Sequence, residues 1–382
     1  MTATLLAIAV AAGTPPADLD LKKRAEALVS QLGSADYRGR EKAARQLLDI
    51  GYPAKDAVLA GQHSPDTEVS DRCTKLYPAI WRHDLDKRIR KFLDDPDAPI
   101  PDDLPGAARW LKVAGDGSKS REMYAEMVKA HPEPLLDIEL HPERLKDVYA
   151  EFIRAVYART MTRVPGKLAN ERPMPTDSEE NLFFFLGAAG DVRPATVLPG
   201  TSSSYYYQFL NATSLTTRLT ETPMRKLYAA WLEKERYSIV LRRGIDVAAQ
   251  HGIKECGPTV LKIANDAGTS PFIRATALLG FAKLGTKDNI KDLEPFLKDK
   301  LQIAAVVVNG ERGSVQMRDV ALGAAVYLIG ESPTDFGFER RPPGGLTPMS
   351  ITSYTYYAFG TDEKREAAHQ KWKEWATANL KK

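Results

Sequence analysis

The chain has 382 residues, 43% hydrophobic and 27% charged, with 53 Lys and Arg against 50 Asp and Glu. These fractions are those of an ordinary globular protein and exclude disordered, collagenous and polytopic membrane classes. A net charge of +3 lacks the bulk electrostatic footprint of a dedicated polyanion binder, and two cysteines, Cys73 and Cys256, supply neither a disulfide framework nor a CxxC pair.

The first element is an apolar run, Leu5 to Ala12, far shorter than the roughly 20 residues of a membrane span. It reads as a secretory h-region, with Ala9-Val10-Ala11 as an A-x-A cleavage pattern, although no Lys or Arg precedes it. The expectation is a signal peptide over residues 1–17 and an exported protein of the periplasm or cell envelope. The alternative is a frayed apolar N-terminus.

From Leu21 onward apolar residues recur at three- and four-residue spacing, which predicts helix almost throughout. Leu28 and Leu32 form the stripe of one helix; Ala43, Ala44, Leu47 and Leu48 form that of the next, stopped at Gly51. About 29 residues later Val69, Arg72, Cys73 and Leu76 fall where Arg40, Ala43, Ala44 and Leu47 fell. Residues 18–93 therefore read as N-terminal helical repeats. Asp94 to Pro105, acidic and rich in proline, reads as a connector, because proline excludes helix at most of its positions.

Residues 106–382 read as the main helical-repeat domain. Within it Ile245, Ala248, Gly252 and Val260 recur about 33 residues on as Leu278, Phe281, Gly285 and Leu293, and Met317-Arg318, Ala321-Leu322 and Leu328 repeat the first helix again. An arginine near the helix start, Arg274 or Arg318, is placed to pair with an acid of a neighbouring repeat. One helix pair cannot bury both of its faces, so such pairs must stack.

The segments IRATALLGFAKLG and REKAARQLLDIG resemble HEAT-type repeats. The stretches Leu104 to Leu136, Arg225 to Glu255 and Arg318 to Phe338 look like segments that occur, in this order, in HEAT-like helical-repeat proteins of planctomycete bacteria. The resemblance covers most of residues 21–375. It implies an all-α, HEAT-like right-handed α-solenoid and an exported location, and it implies no activity and no functional residue.

Three insertions break the helical pattern. Residues 191–222 are rich in Ser, Thr, Pro and Tyr and too long for an ordinary connection. Residues 301–317 read as a small β-hairpin around Asn309-Gly310. Residues 331–360 form a Pro/Gly-rich aromatic loop. The last helix, Asp362 to Leu380, places Ala368, Trp372 and Trp375 on one face to seal the final repeat.

Motifs for catalysis are missing. Asp335-Phe336-Gly337 matches the kinase magnesium motif in letters only, with no glycine-rich loop, strand lysine or HRD loop before it. No histidine pair has metal-site spacing. His131-Pro132-Glu133 and His141-Pro142-Glu143 read as helix entrances, with a cation cluster as the alternative. Cys73 lies on an apolar stripe and Cys256 lacks an orienting third group, so the expectation is no catalytic residue, no metal and no cofactor.

What remains are surfaces. Tyr205, Tyr206, Tyr207 and Phe209 in one insertion, and Phe336, Phe338, Tyr354, Tyr356, Tyr357 and Phe359 in another, are residue types that dominate binding hot spots. Either they seat a protein partner or they cover the open edge of the core. The favoured reading is a non-catalytic interaction scaffold of the cell envelope. The alternative is a nucleic-acid-binding repeat protein with Arg225, Lys226, Arg242, Arg243, Arg274 and Arg318 lining a basic groove. A third class, an enzyme with its site in the insertions, would need convergent side chains that a sequence does not reveal.

Overall fold

The computed structural model describes residues 16–97, 100–101, 103–161, 173–190, 203–339 and 353–380. The expected signal segment up to residue 15, and residues 191–202 and 340–352 of the expected insertions, lie outside the described residues. Over the described residues the chain is mostly helical, with one two-stranded antiparallel sheet. It divides into two compact units, Met1–Pro105 and Gly106–Lys382.

The first unit holds α1 (Pro16–Gln31), α2 (Tyr37–Ile50), α3 (Lys55–Gly61), α4 (Thr67–Arg82) and α5 (Leu85–Asp94). Asp36 and Asp66 open α2 and α4 in the same way, each carboxylate accepting from backbone amides of its first turn. The helices pack pairwise, α1 on α2 and α3 on α4, and then in register, α1 on α3 and α2 on α4. Two ion pairs cross between α2 and α4, Arg40–Glu68 at 3.1 Å and Arg72–Glu41 at 2.9 Å. The matching caps and buried residues are 30 apart, so Ala43 and Leu47 correspond to Cys73 and Tyr77. This corrects the 29-residue register, in which Leu76 fell opposite Leu47. Leu76 is half-buried and Leu48 exposed, so the α2 stripe is narrower than the composition suggests.

The second unit is built around α10 (Asp177–Ala188), where every residue from Glu179 to Gly187 is buried. A helix with no polar face must be enclosed by others. The enclosing elements are α7 (Ser118–Ala130), α9 (Leu145–Met161), α12 (Thr213–Arg218) and α13 (Thr222–Lys234). The same part of the unit holds α6 (Ala107–Ala114), α8 (Pro132–Leu140) and α11 (Ser204–Leu210), and rings of α6 and α11 reach Phe185 and Phe183 of α10. Thr176 and Glu179 form a reciprocal capping box at the start of α10. Polar groups are buried with the helix: Glu180 takes a 2.8 Å ion pair from Arg218, and the Arg218 guanidinium also reaches Asn181. Residues 204–218, expected as an insertion outside the helical pattern, are thus two short helices, and Arg218 from the second supplies the charge that α10 requires.

The C-terminal part carries α14 (Ser238–His251), α15 (Gly257–Asn265), α16 (Pro271–Leu284), α17 (Ile290–Leu293), β1 (Gln302–Val308), β2 (Glu311–Gln316), α18 (Met317–Ile329) and α19 (Asp362–Asn379). Helix α14 packs on α16, and α16 on α18. The first two start 33 residues apart; the third starts later because the hairpin intervenes. Asn309 and Gly310 both adopt positive φ between Val308 and Glu311, the two-residue turn that matches strand twist. At the chain's end the Arg365 guanidinium of α19 bonds both oxygens of Asp319 at 3.0 and 2.9 Å and the Ser314 carbonyl at 3.0 Å, tying α19 to α18 and β2. Both partners of that pair are almost fully buried.

Close approach sets the α14–α16 spacing. A Cβ on Gly280 would lie 2.7 Å from the Ile245 Cγ2 atom, nearer than side chains tolerate. Gly280→Val is therefore expected to cost about 1–3 kcal/mol by overpacking, and less in an Ile245→Ala background. Urea midpoints check this, and additive losses would place the two residues out of contact.

Candidate functional site

The structure divides the candidate contact aromatics into two groups. Tyr206, Phe209, Phe336, Phe338 and Tyr357 are buried in the chain's own packing, as is Phe359. Phe209 stacks on Phe183 of α10 at 4.1 Å and 8°; Phe338 sits between Tyr357 and Phe359; Phe336 lies 6.0 Å from Trp372. The physical reason is that α10 and α18 need covering, and large rings bury the most apolar area per residue. Tyr205, Tyr207, Tyr354 and Tyr356 are half-buried and keep part of their surface. Tyr205 lies 4.2 Å from the Tyr157 ring, and Tyr354 sets its edge against Phe272 at 5.3 Å.

The basic residues proposed for a groove are mostly engaged within the chain. Arg225 pairs with Glu255 at 2.9 Å, Arg274 with Asp299 at 3.7 Å and Arg318 with Glu366 at 2.7 Å. Arg243 donates to Asn211, and the Arg242 guanidinium lies 4.7 Å from the centre of the Phe272 ring. Lys226 is exposed. A phosphate backbone would have to compete with these internal partners for the arginines.

The remaining chemical candidates have structural surroundings. Both cysteines are buried; burial pushes the Cys73 thiol up to about 11 and the Cys256 thiol higher still, away from the thiolate a nucleophile needs. His131 stands at the entrance to α8 with Pro132 at the first helical position, its ring 3.3 Å from the Ser178 hydroxyl, and burial lowers its pKa. Gly337 takes a positive φ after a 3-10 turn over Pro333–Phe336, so Asp335-Phe336-Gly337 is a packing turn. Among the described residues no group of three or more His, Cys, Asp or Glu is arranged to hold a metal ion.

A cleft of about 300 Å³ lies where the α13–α14 turn meets the α15–α16 turn. Its apolar walls are Leu241, Ile263 and Ile273, and its polar lining includes Glu235, Lys262 and Asp266, with hydroxyls such as Ser238 and Thr259. Glu235 is only 6% exposed. Its Oε1 accepts from the backbone amides of Arg236 at 2.8 Å and Tyr237 at 2.7 Å, while its Oε2 accepts no hydrogen bond among the described residues. Burial pushes the carboxyl up to about 7, outweighing the two amides and the Arg236 charge, which act to lower it. Behind it stand the phenols of Tyr149 and Tyr206, both raised by burial first and by the Glu235 charge as a lesser cause. The Tyr206 hydroxyl is buried without a hydrogen-bond partner.

Sequence reasoning missed Glu235, yet a signal was present. Met224, Leu227, Tyr228, Trp231 and Leu232 form the buried stripe of α13, and residue 235 continues that period by one step. A carboxylate on a core stripe is a candidate for a shifted pKa. The Asp319–Arg365 pair was missed for a different reason: its partners are 46 residues apart and meet only through the fold.

Comparison with known proteins finds no matching family model, no matching curated protein and no matching solved structure. Among the described residues no helix is long and apolar enough to cross a membrane.

The raised Glu235 carboxyl has a stability consequence with a definite sign. Its folded pKa of about 7 lies above the ordinary value near 4.3, so its contribution to stability is complete below about pH 4.3 and is lost as the pH rises through about 7. Glu235→Gln does not ionise and keeps an acceptor at Oε1. It is expected to gain on the wild type by on the order of 2 kcal/mol between pH 5 and pH 8, read from urea midpoints. Parallel pH curves for the two proteins would show an ordinary carboxylate.

Proposed function

We propose that the chain is a non-catalytic interaction scaffold of the cell envelope, built on HEAT-like repeats and related to the planctomycete proteins that it resembles. The observation that carries this reading is the succession of α14 on α16 on α18, with α14 and α16 separated by the 33-residue recurrence of the sequence. Stacked helix pairs expose a long continuous surface whose residues are free to vary while the core is kept, and such surfaces serve mainly to hold other macromolecules. The ion pairs of Arg274 and Arg318 with Asp299 and Glu366 support it, because helix-start arginines then serve to tie neighbouring elements. The raised thiols give no support to a thiolate nucleophile. An exported location rests on the h-region and the A-x-A pattern of the first residues.

Half-buried tyrosines are the part of the aromatic set left to meet a partner, since they present area at small entropic cost. Crosslinked capture from the native envelope is expected to recover a protein with the wild type. Recovery should fall about tenfold with a Tyr205→Ala, Tyr207→Ala double variant, the loss of one hot spot. Equal recovery by a variant that folds normally would move the contact surface elsewhere. A steeply salt-dependent shift with duplex DNA would instead favour the nucleic-acid reading.

A further inference from the structure

We propose that the cleft between the α13–α14 and α15–α16 turns receives the primary ammonium of a lysine side chain from a protein partner, with Glu235 Oε2 as its acceptor. This deepens the scaffold reading and rests on it.

The acceptor belongs to a buried residue that lines the cleft, and only one of its oxygens is used. Its Oε1 is held by two backbone amides, and its Oε2 accepts no hydrogen bond among the described residues. Glu235 is only 6% exposed, and a carboxylate so little solvated gains most from a donor that carries positive charge. Competing charges around it are engaged or exposed. Arg236 turns its Nη1 onto the carbonyls of Glu233 and Glu235 at 2.8 and 2.7 Å. Lys262 and Glu233 are exposed, where water screens them. Asp266 is held ionised by the Thr269 hydroxyl at 2.7 Å and the Gly268 amide at 3.0 Å, adding negative charge at the rim.

One free oxygen also selects the type of cation. A guanidinium binds carboxylates best through two parallel hydrogen bonds, and Glu235 has only one oxygen to offer. An ammonium is a compact charge that needs a single acceptor, with the cleft's hydroxyls available for its other protons. Leu241, Ile263 and Ile273 provide walls for the methylene stem. One such contact supplies weak affinity by itself, so a partner must bring further contacts, and the open edge between two turns allows it.

Binding should then depend on pH. The groups facing Glu235 are Arg236 and Tyr237 on its own turn, Tyr206 from α11 and Tyr149 from α9, and Lys262 and Asp266 across the cleft. Lysine stays protonated to about pH 10, so the titrating partner near neutrality is Glu235.

The test is an amide chemical-shift titration of the full chain with N-acetyl-lysine methylamide at pH 8.0 and 5.5. With a carboxyl midpoint of about 7, affinity should fall about 30-fold at the lower pH. Shifts should centre on Ser238, Thr259 and Thr269, and the neutral norleucine analogue should give none. Glu235→Gln should bind at least tenfold more weakly at pH 8.0 and lose the pH dependence. The wild-type pH ratio stands as a test even if that variant does not fold. Equal affinity at both pH values, equal binding of the norleucine analogue, or an arginine analogue that binds as tightly would each overturn the proposal. Spermidine binding more than tenfold tighter than the lysine amide would assign the cleft to a free polyamine and overturn it as well. If envelope capture recovers a partner but the lysine amide shifts nothing, the site fails and the scaffold reading stands. If the lysine amide binds as described but no partner is captured, the scaffold reading falls and the ammonium chemistry remains.

Discussion

The enclosure of α10 is the constraint on which the second unit depends. Four consecutive apolar residues, Leu182 to Phe185, sit at or near zero exposure, and Glu180 and Asn181 are buried beside them. Such a helix is stable only when neighbours cover it on every side and satisfy its polar groups. That requirement draws Arg218 inward to Glu180 and lays Phe209 flat on Phe183. Removing either partner of the Glu180–Arg218 pair would leave an uncompensated buried charge, which is more damaging than the pair is stabilising. The same enclosure explains why aromatic residues in a segment rich in Ser and Tyr face the core.

Chemistry at the Glu235 cleft follows from this packing. Trp231 touches both Phe183 and Phe184, so the face of α13 that carries it points to the core, and Glu235 extends that face past the helix end. Two backbone amides are enough to hold the carboxyl and too few to keep it at the usual carboxylate value. A protonatable acid at the mouth of a recess is the result. The cleft and the core are one arrangement, the core supplying desolvation and the turns supplying access.

Much of this was legible in the residues. Periodicity gave helices from Leu21 onward, and the Asn309-Gly310 dipeptide gave the hairpin, because both signals are local. The 30-residue register in the first unit was misjudged by one position, since Leu76 and Tyr77 are both apolar and only the Asp36 and Asp66 caps decide between them. Tyr206 and Phe209 were legible as large aromatics that either seat a partner or cover the core, and local sequence does not decide between the two. Their destination depends on α10, a helix whose consecutive buried residues, polar in its first turns and apolar after Asn181, leave no periodic stripe to read. Glu235 was legible as the continuation of a stripe, although a lone glutamate more often marks a solvated face.

Hydrogen exchange across residues 204–210 tests the enclosure most directly. If α11 is part of the packing around α10, the amides of Phe209 and Leu210 exchange as slowly as those of Phe183 to Phe185, because both open only when the same cluster does. Exchange of Phe209 and Leu210 at rates typical of exposed loops, with α10 still protected, would contradict the account and return this segment to the role of a free contact loop.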